Sequence, residues 1–409
     1  RGRPMPSAYH PLTEEEAVQY VRSKLPGFFY PDAQLFSREI GDGNLNLVFR
    51  VVDSSTGRSL ILKQALPYAR VVGESWPLTL DRARIESEAL QIQGELAPGL
   101  VPRVYHYDPD LALTVMEDCS DHIIMRKGLI ARKRYPRFAE HMAEFLARTL
   151  FFTSDLYLSP EEKKARVRRF INPEMCKITE DLVFSHPYYD ADTNSFNPLI
   201  REDVEAIWED GALRREVAKL KESFMTCGQA LIHGDLHTGS IMVTEEDTKV
   251  IDPEFAYYGP MGFDIGALLA NLFLSYASHE GQTADPEERK SYRQWLLRTA
   301  EEVWMGFLER FDRLWDEHVK DEIWSAPGYR EDFYVRLLQD SAGFAGCKMM
   351  RRVIGLAPVA DLETIDPPEV RAVSERQALR IGTELVLRRG QIRRIEDITA
   401  LVRLEGRAE

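Results

Sequence analysis

The chain has 409 residues, enough to bury a large core and to divide into two lobes. A hydrophobic content of 44% with 10% aromatics describes an ordinary folded protein, and a formal net charge of −14 argues against nucleic acid as the main partner, which needs a basic footprint. An anionic ligand must therefore be gripped locally, by Lys, Arg, backbone amides or a metal, against the field of the whole chain.

Thr13–Glu14–Glu15–Glu16 reads as a capping box that opens a helix through about Leu25, stopped by Pro26–Gly27. From Phe36 to Ala65 the pattern is β, with runs at Leu45–Val52 and Ser59–Ala65 joined by a turn at Asp53–Gly57. A helix over Leu80–Leu96 follows, then strands around Val101–His106 and Ala112–Met116. These elements predict a small, mostly antiparallel sheet with one helix. Beyond Glu117–Asp118 helical periodicity dominates, over Tyr135–Tyr157, Asp203–Cys227, Ile265–Tyr276, Arg289–Val319, Tyr329–Val353 and Pro368–Arg388. Only Leu231–Ile251 reads as strands. The expected class is α+β, with a β-rich lobe over 1–116, a linker at 117–119 and a helical lobe over 120–409. The longest apolar stretch, Tyr257–Ala277, contains Asp264 and glycines and reads as a core helix, so no membrane span is expected. No apolar secretory segment follows Arg1–Ser7. Cys119, Cys176, Cys227 and Cys347 lie far apart without a C-x-x-C, which points to reduced thiols in a cytoplasmic protein.

Two acidic clusters beside short apolar runs carry the chemistry: His233–Gly234–Asp235–Leu236–His237–Thr238–Gly239–Ser240 and Asp252–Pro253–Glu254. Phosphoryl transfer asks for one acid to orient or deprotonate a hydroxyl and another to hold the metal on the nucleotide phosphates. Asp235 suits the first role. Asp252 and Glu254 suit the second, as oxygen ligands for Mg2+. His233 and His237 have zinc-like spacing but no helix to present them; His233 reads as a buried hydrogen-bonding support, and Ser240 as a weaker metal or phosphate contact. Upstream, Gly41 and Gly43 allow a tight turn whose amides meet phosphate oxygens, the plain alternative being a hairpin turn. Lys63 lies in the apolar run Leu60–Gln64, where an ammonium needs a partner, and Glu86 is favoured over Glu88 to supply it. Far downstream, Arg351–Arg352 reads first as a solvated pair, as consecutive arginines usually are, yet Gly343, Gly346 and Gly355 around it suggest close packing and a pair able to hold hydroxyls or phosphate oxygens.

Together these residues resemble the protein-kinase-like superfamily, specifically its aminoglycoside phosphotransferase and choline kinase branch, whose pattern is His-Gly-Asp-x-His. Gly41–Asn46, Gln64–Tyr68, Gly73–Thr79, Met116–Asp118, His233–Ser240, Asp252–Glu254, Tyr258–Gly266 and Arg351–Arg352 look more narrowly like the S-methyl-5-thioribose kinase family. The resemblance implies a bilobal kinase fold and Mg2+-dependent transfer from ATP to the anomeric (C1) hydroxyl of methylthioribose, in methionine salvage. Carried over by position, it implies that Asn44 and Lys63 touch the phosphates and that Glu117, Asp118 and Cys119 form a hinge against adenine. It also implies that Asp252, Pro253 and Glu254 meet metal and nucleotide, that Asp235 with Arg351 or Arg352 binds the sugar, and that the Gly73–Thr79 loop with Trp76 closes over the nucleotide. A cytoplasmic homodimer is expected from the resemblance alone. Against the wider kinase pattern, Asn46 replaces a third glycine, Ser240 an asparagine, and Asp252–Pro253–Glu254 an Asp-Phe-Gly. The rival readings are an aminoglycoside, choline or homoserine kinase, and a nucleotide-binding pseudokinase.

Overall fold

The computed structural model describes residues 8–41, 45–69 and 73–407, with backbone alone for 73–76. It divides into two compact units. The first runs through Asp121 and also takes in Lys249–Phe255; the second comprises His122–Thr248 and Ala256 onward.

In the first unit, α1 (Glu14–Lys24) begins at the expected capping box, with Thr13 and Glu16 exchanging side-chain and backbone hydrogen bonds. The strands β1 (Leu35–Ile40), β2 (Asn46–Asp53) and β3 (Ser59–Ala65) lead to a short hairpin, β4 (Tyr68–Ala69) and β5 (Gly73–Pro77). Then come α2 (Asp81–Leu96), β6 (Val104–Asp108) and β7 (Leu113–Met116). Five strands form one antiparallel sheet in the order β1-β2-β3-β7-β6. Strand alternation puts Leu47, Phe49, Val51, Leu60, Leu62, Leu113 and Val115 on the face that packs with Ala17, Tyr20 and Val21 of α1. The opposite face of β3 therefore carries Ile61, Lys63 and Ala65, with Lys63 in register between Val48 and Thr114. The returning segment joins this unit through Val250, whose N–H donates to the Leu100 carbonyl at 2.8 Å, and Lys249, which reaches the Gly99 carbonyl at 2.6 Å.

The second unit contains β8 (Ile123–Ile124), α3 (Met125–Ile130), α4 (Phe138–Phe152), α5 (Pro160–Arg169), α6 (Pro173–Phe184), α7 (Arg201–Glu209) and α8 (Gly211–Thr226). It continues with β9 (Ala230–Ile232), β10 (Ile241–Val243), β12 (Tyr257–Gly259) after β11 (Thr248–Val250), and then α9 (Met261–Gln282), α10 (Pro286–His318) and α11 (Tyr329–Ile354). The chain closes with α12 (Ala360–Glu363), α13 (Pro368–Leu387) and α14 (Ile395–Glu405). The single helix expected over Asp203–Cys227 is two, because Asp210 leaves the helical conformation and caps α8 by accepting from Leu213 N–H at 3.0 Å. β9 pairs with β12 and β8 with β10, all antiparallel.

α9 is buried from Met261 to His279 and packs against α10, α11 and α13. It is long and apolar enough to cross a membrane by length and composition, yet its apolar window is wholly buried inside the fold, as a core helix requires. All four cysteines are free thiols. Glycines set the helix spacing. A methyl added at Gly266 would stand 2.6 Å from the Ser341 carbonyl oxygen, and one at Gly382 would stand 2.9 Å from that of Gly346. α9, α11 and α13 thus touch backbone to backbone, and α11 has little freedom to slide.

Gly346→Ala drives a methyl into the Gly382 carbonyl and within 2.7 Å of Val386 Cγ2. We expect a loss of about 1–3 kcal/mol in urea unfolding. Gly390→Ala, where an added methyl meets nothing within 4 Å, serves as the control and should stay within about 0.5 kcal/mol of the parent.

Candidate functional site

The buried stripe of α2 holds two charged residues one turn apart, Arg82 and Glu86. Glu86 Oε1 lies 2.8 Å from Lys63 Nζ, and Asp252 Oδ1 lies 2.6 Å from the same nitrogen. Glu88, two positions on and therefore on another face, meets Arg84 at 3.0 Å. Burial alone would lower the Lys63 pKa, but Asp252, Glu86 and Glu254 reverse it and hold the ammonium above its ordinary range. Burial pushes the Glu86 carboxyl up to about 7, with Lys63 pulling the other way. Lys63 is therefore a fixed cation in a dry position, with carboxylates on two sides.

Arg82, fully buried, donates to the carbonyls of Leu66 and Thr79 at 2.8 Å each and to that of Leu45, and its Nε lies 3.4 Å from Glu254 Oε2. Asn46 Nδ2 lies 3.5 Å from the same oxygen. Glu254 is thus held in place, and Pro253 beside it is buried. Asp252 has φ +60°, in the left-handed region, and its side chain is 44% exposed. That half-open carboxylate suits a hard cation. Among the described residues no group of three or more His, Cys, Asp or Glu could enclose a metal. A cation here would draw most of its oxygens from water and from its own ligand, as magnesium does on phosphates.

Of the other nucleotide-side candidates, Asn44 lies outside the described residues, as does the Trp76 side chain. Gly41 has φ +78°, which fits a turn that only glycine enters easily. Glu117 pairs its backbone N–H with the Arg103 carbonyl at 2.8 Å, and its carboxylate accepts from Arg103 N–H. Asp118 is anchored by Arg50 and Ser59, each at 2.6 Å; burial would raise its pKa, but these partners hold it below the ordinary value. Cys119 is buried, and burial pushes its thiol up to about 12. The three residues form a stretch of fixed backbone beside β7.

In the second unit, β9 ends at Ile232, just before His233, and Gly234 turns the chain with φ +87°. Asp264, in the first turn of α9, accepts from the N–H groups of His233 and Gly234 at 2.7 and 3.0 Å. His233 is buried, and its Nδ1 accepts from Asp235 N–H at 3.1 Å. Ser240 is buried too: its hydroxyl lies 2.9 and 2.8 Å from the carbonyls of Asp235 and His237, so it braces the loop.

This turn presents Asp235. Its Oδ2 lies 3.3 Å from His237 Nε2 and its Oδ1 3.6 Å from Lys348 Nζ. His237 Nδ1 receives hydrogen bonds from Gly239 N–H and from Arg126, both at 3.0 Å, which assigns the ring proton to Nε2. Burial, opposed by Asp235, lowers the His237 pKa to about 4, so the ring is neutral at pH 7. Burial would raise the Asp235 pKa, but His237, Lys348 and Arg352 drive it well below the ordinary range. Arg126 also pairs with Asp361 at 2.6 Å and with Asn271 at 3.1 Å. Arg352 donates to the Ala357 carbonyl at 3.0 Å, while Nε and Nη1 of Arg351 are buried without a hydrogen-bond partner. The glycines around the pair pack closely, Gly346 against Gly382 and Gly343 against Leu220 and Arg389.

Chemically, the first cluster can hold an anionic ligand through one buried ammonium and a cation through Asp252. The second offers an ionised carboxylate beside Lys348 and Arg352, with Arg351 and Arg126 close to that pair. Sequence reasoning passed over Arg82, Arg126 and Lys348. Lys348 had a signal: at three and four positions before Arg351 and Arg352 it shares their helix face. Arg126 had none, being one arginine in a basic stretch.

Residues 37–308 match the model of the phosphotransferase enzyme family. The chain is 50% identical over 396 residues to a methylthioribose kinase of Geobacillus sp. (strain WCH70), covering 97% of this chain and 96% of that protein. It is 45% identical over 400 residues to a methylthioribose kinase of Yersinia enterocolitica serotype O:8 / biotype 1B, covering 98% and 100%. Among solved structures, choline kinase from Cryptosporidium parvum Iowa II is similar over 93% of this chain and 98% of that chain, at 12% identity and a TM-score of 0.47.

Arg82→Met would leave three backbone carbonyls and Glu254 without their shared donor. We expect a loss of about 3–5 kcal/mol, the usual range for breaking a buried ion pair, read as a lowered urea midpoint. An unchanged midpoint would show that Arg82 does not organise this unit.

Proposed function

The chain belongs to the methylthioribose kinase family and, with it, to the phosphotransferase enzyme family, and from that premise we propose that it transfers the γ-phosphoryl group of ATP to the anomeric hydroxyl of S-methyl-5-thio-D-ribose. The products are S-methyl-5-thio-α-D-ribose 1-phosphate and ADP. One observation carries the choice of acceptor: Asp235 sits among Lys348, Arg351, Arg352 and Arg126. Three arginines with Lys348 make a basic surround that repels an aminoglycoside or a choline and suits a neutral sugar that leaves as an anionic ester.

In this reading Asp235 orients the C1 hydroxyl and accepts its proton late, since its conjugate acid is strong and phosphoryl transfer asks little of a base. Lys63, steadied by Glu86, holds phosphate oxygens, together with Asn44. Glu117, Asp118 and Cys119 border the adenine. Arg351 and Arg352 bind the sugar and favour the charge that develops in transfer. Magnesium fits Asp252, with Glu254 beside it; when bound, it neutralises phosphate charge. The pseudokinase alternative is disfavoured because Lys63, Asp235 and Asp252 are all retained.

Coupled ADP release, measured with methylthioribose and with an acceptor panel of an aminoglycoside, choline and homoserine, tests the proposal. Turnover is expected with methylthioribose alone and only in the presence of magnesium. Background rates with this sugar would end the substrate assignment. Asp235→Ala should lower kcat by about 100- to 10,000-fold while ATP affinity, followed by calorimetry, stays within about twofold. Loss of ATP binding instead would remove Asp235 from the acceptor side.

A further inference from the structure

Lys348 is a lysine with 4% of its side chain exposed, reaching from the C-terminal third of α11 toward Asp235, three residues past the end of β9. Its ammonium stands 5.1 Å above the Phe263 ring and 3.6 Å from Asp235 Oδ1. The other carboxylate oxygen faces the Nε2–H of His237. Each oxygen of Asp235 thus has its own nitrogen, one supplied by the loop itself and one from more than a hundred positions downstream. A lysine this buried is costly to keep unless a charge partner holds it. Arg351 and Arg352, on the same helix, make that cost larger, and Asp235 offsets it.

We propose that Lys348 is the positioning residue for Asp235, clamping the Oδ1 side of the carboxylate against His237 on the other, so that the acceptor hydroxyl meets an ionised acid in one orientation. The proposal rests on the assignment of Asp235 to the acceptor hydroxyl. Lys348 touches the carboxylate, and it acts on the reaction through it. Burial lowers the Lys348 pKa to about 7, and Asp235 opposes that fall, so the contact with the carboxylate is what favours the charged form of the amine. The glycine contacts of α11 with α13 give the clamp a rigid base.

A double-mutant cycle tests it. Lys348→Met should lower kcat about 30-fold or more, with KM for ATP within about threefold, and Lys348→Arg should recover most of the loss. Asp235→Asn and the double variant Asp235→Asn/Lys348→Met should turn over at rates within about threefold of each other, because a residue that works through Asp235 has nothing left to position. Losses that multiply in the double variant would overturn the proposal, and so would Lys348→Met turning over within about threefold of the parent. If the Met variant is insoluble, Lys348→Gln and its Asp235→Asn partner decide in the same way. A parent enzyme that fails to turn over methylthioribose refutes the proposed function, a result separate from every arm of the cycle.

Discussion

An ammonium taken out of water must be met by carboxylates, and Lys63 is the ammonium around which the first unit is arranged. Strand alternation turns it away from the α1 core and toward α2. The 3.6-residue turn of α2 then decides which acid it meets, because Glu86 lies on the buried stripe with Arg82 while Glu88 lies outside with Arg84. Arg82 in turn secures Glu254, and Lys63 secures Asp252. Five charged side chains, Lys63, Glu86, Asp252, Arg82 and Glu254, so form a linked set. Ion pairs of this kind are weak evidence of extra stability. What they supply is a single arrangement of groups that a fluid, apolar core would leave undefined.

The second unit solves the mirror-image problem. There Asp235 is the acid, with Lys348 and Arg352 beside it and Asp361 already paired to Arg126. A neutral imidazole completes the surroundings without adding charge, since Arg126 and Gly239 occupy its other nitrogen. Such a pocket is electrostatically unsatisfied by itself. Arg351, with buried guanidinium nitrogens lacking partners, shows where the surplus lies. In the proposed reaction, a neutral acceptor that gains negative charge would relieve that surplus, which is the differential binding that catalysis requires.

Much of the architecture was legible because it depends on local rules. The Thr13 capping box, the alternation of β2 and β3, and the glycine-rich apolar run of α9 each carry a short-range signal. The helix α5 escaped notice for a physical reason: none of its residues is buried, so it has no apolar stripe to betray it. β12 was hidden inside the apolar run read as the start of a helix, where Pro260 separates the two elements. In the candidate site, residues in motifs stood out, whereas Arg82, Arg126 and Lys348 did not. Their importance comes from what they face, and burial of a long cationic side chain is a tertiary fact with no local pattern. Likewise nothing near Val250 announces its hydrogen bond to Leu100.

Asp252 takes a backbone conformation that glycine, asparagine and aspartate tolerate and that other residues resist. Lengthening this acid by one methylene would therefore incur torsional strain as well as a longer reach. The depth at which its carboxylate hangs from the main chain is consequently not an adjustable quantity over evolutionary time. If Asp252 holds the ion as proposed, adaptation to a different ion or a bulkier nucleotide would have to come from neighbouring loops, while this one arm keeps its span.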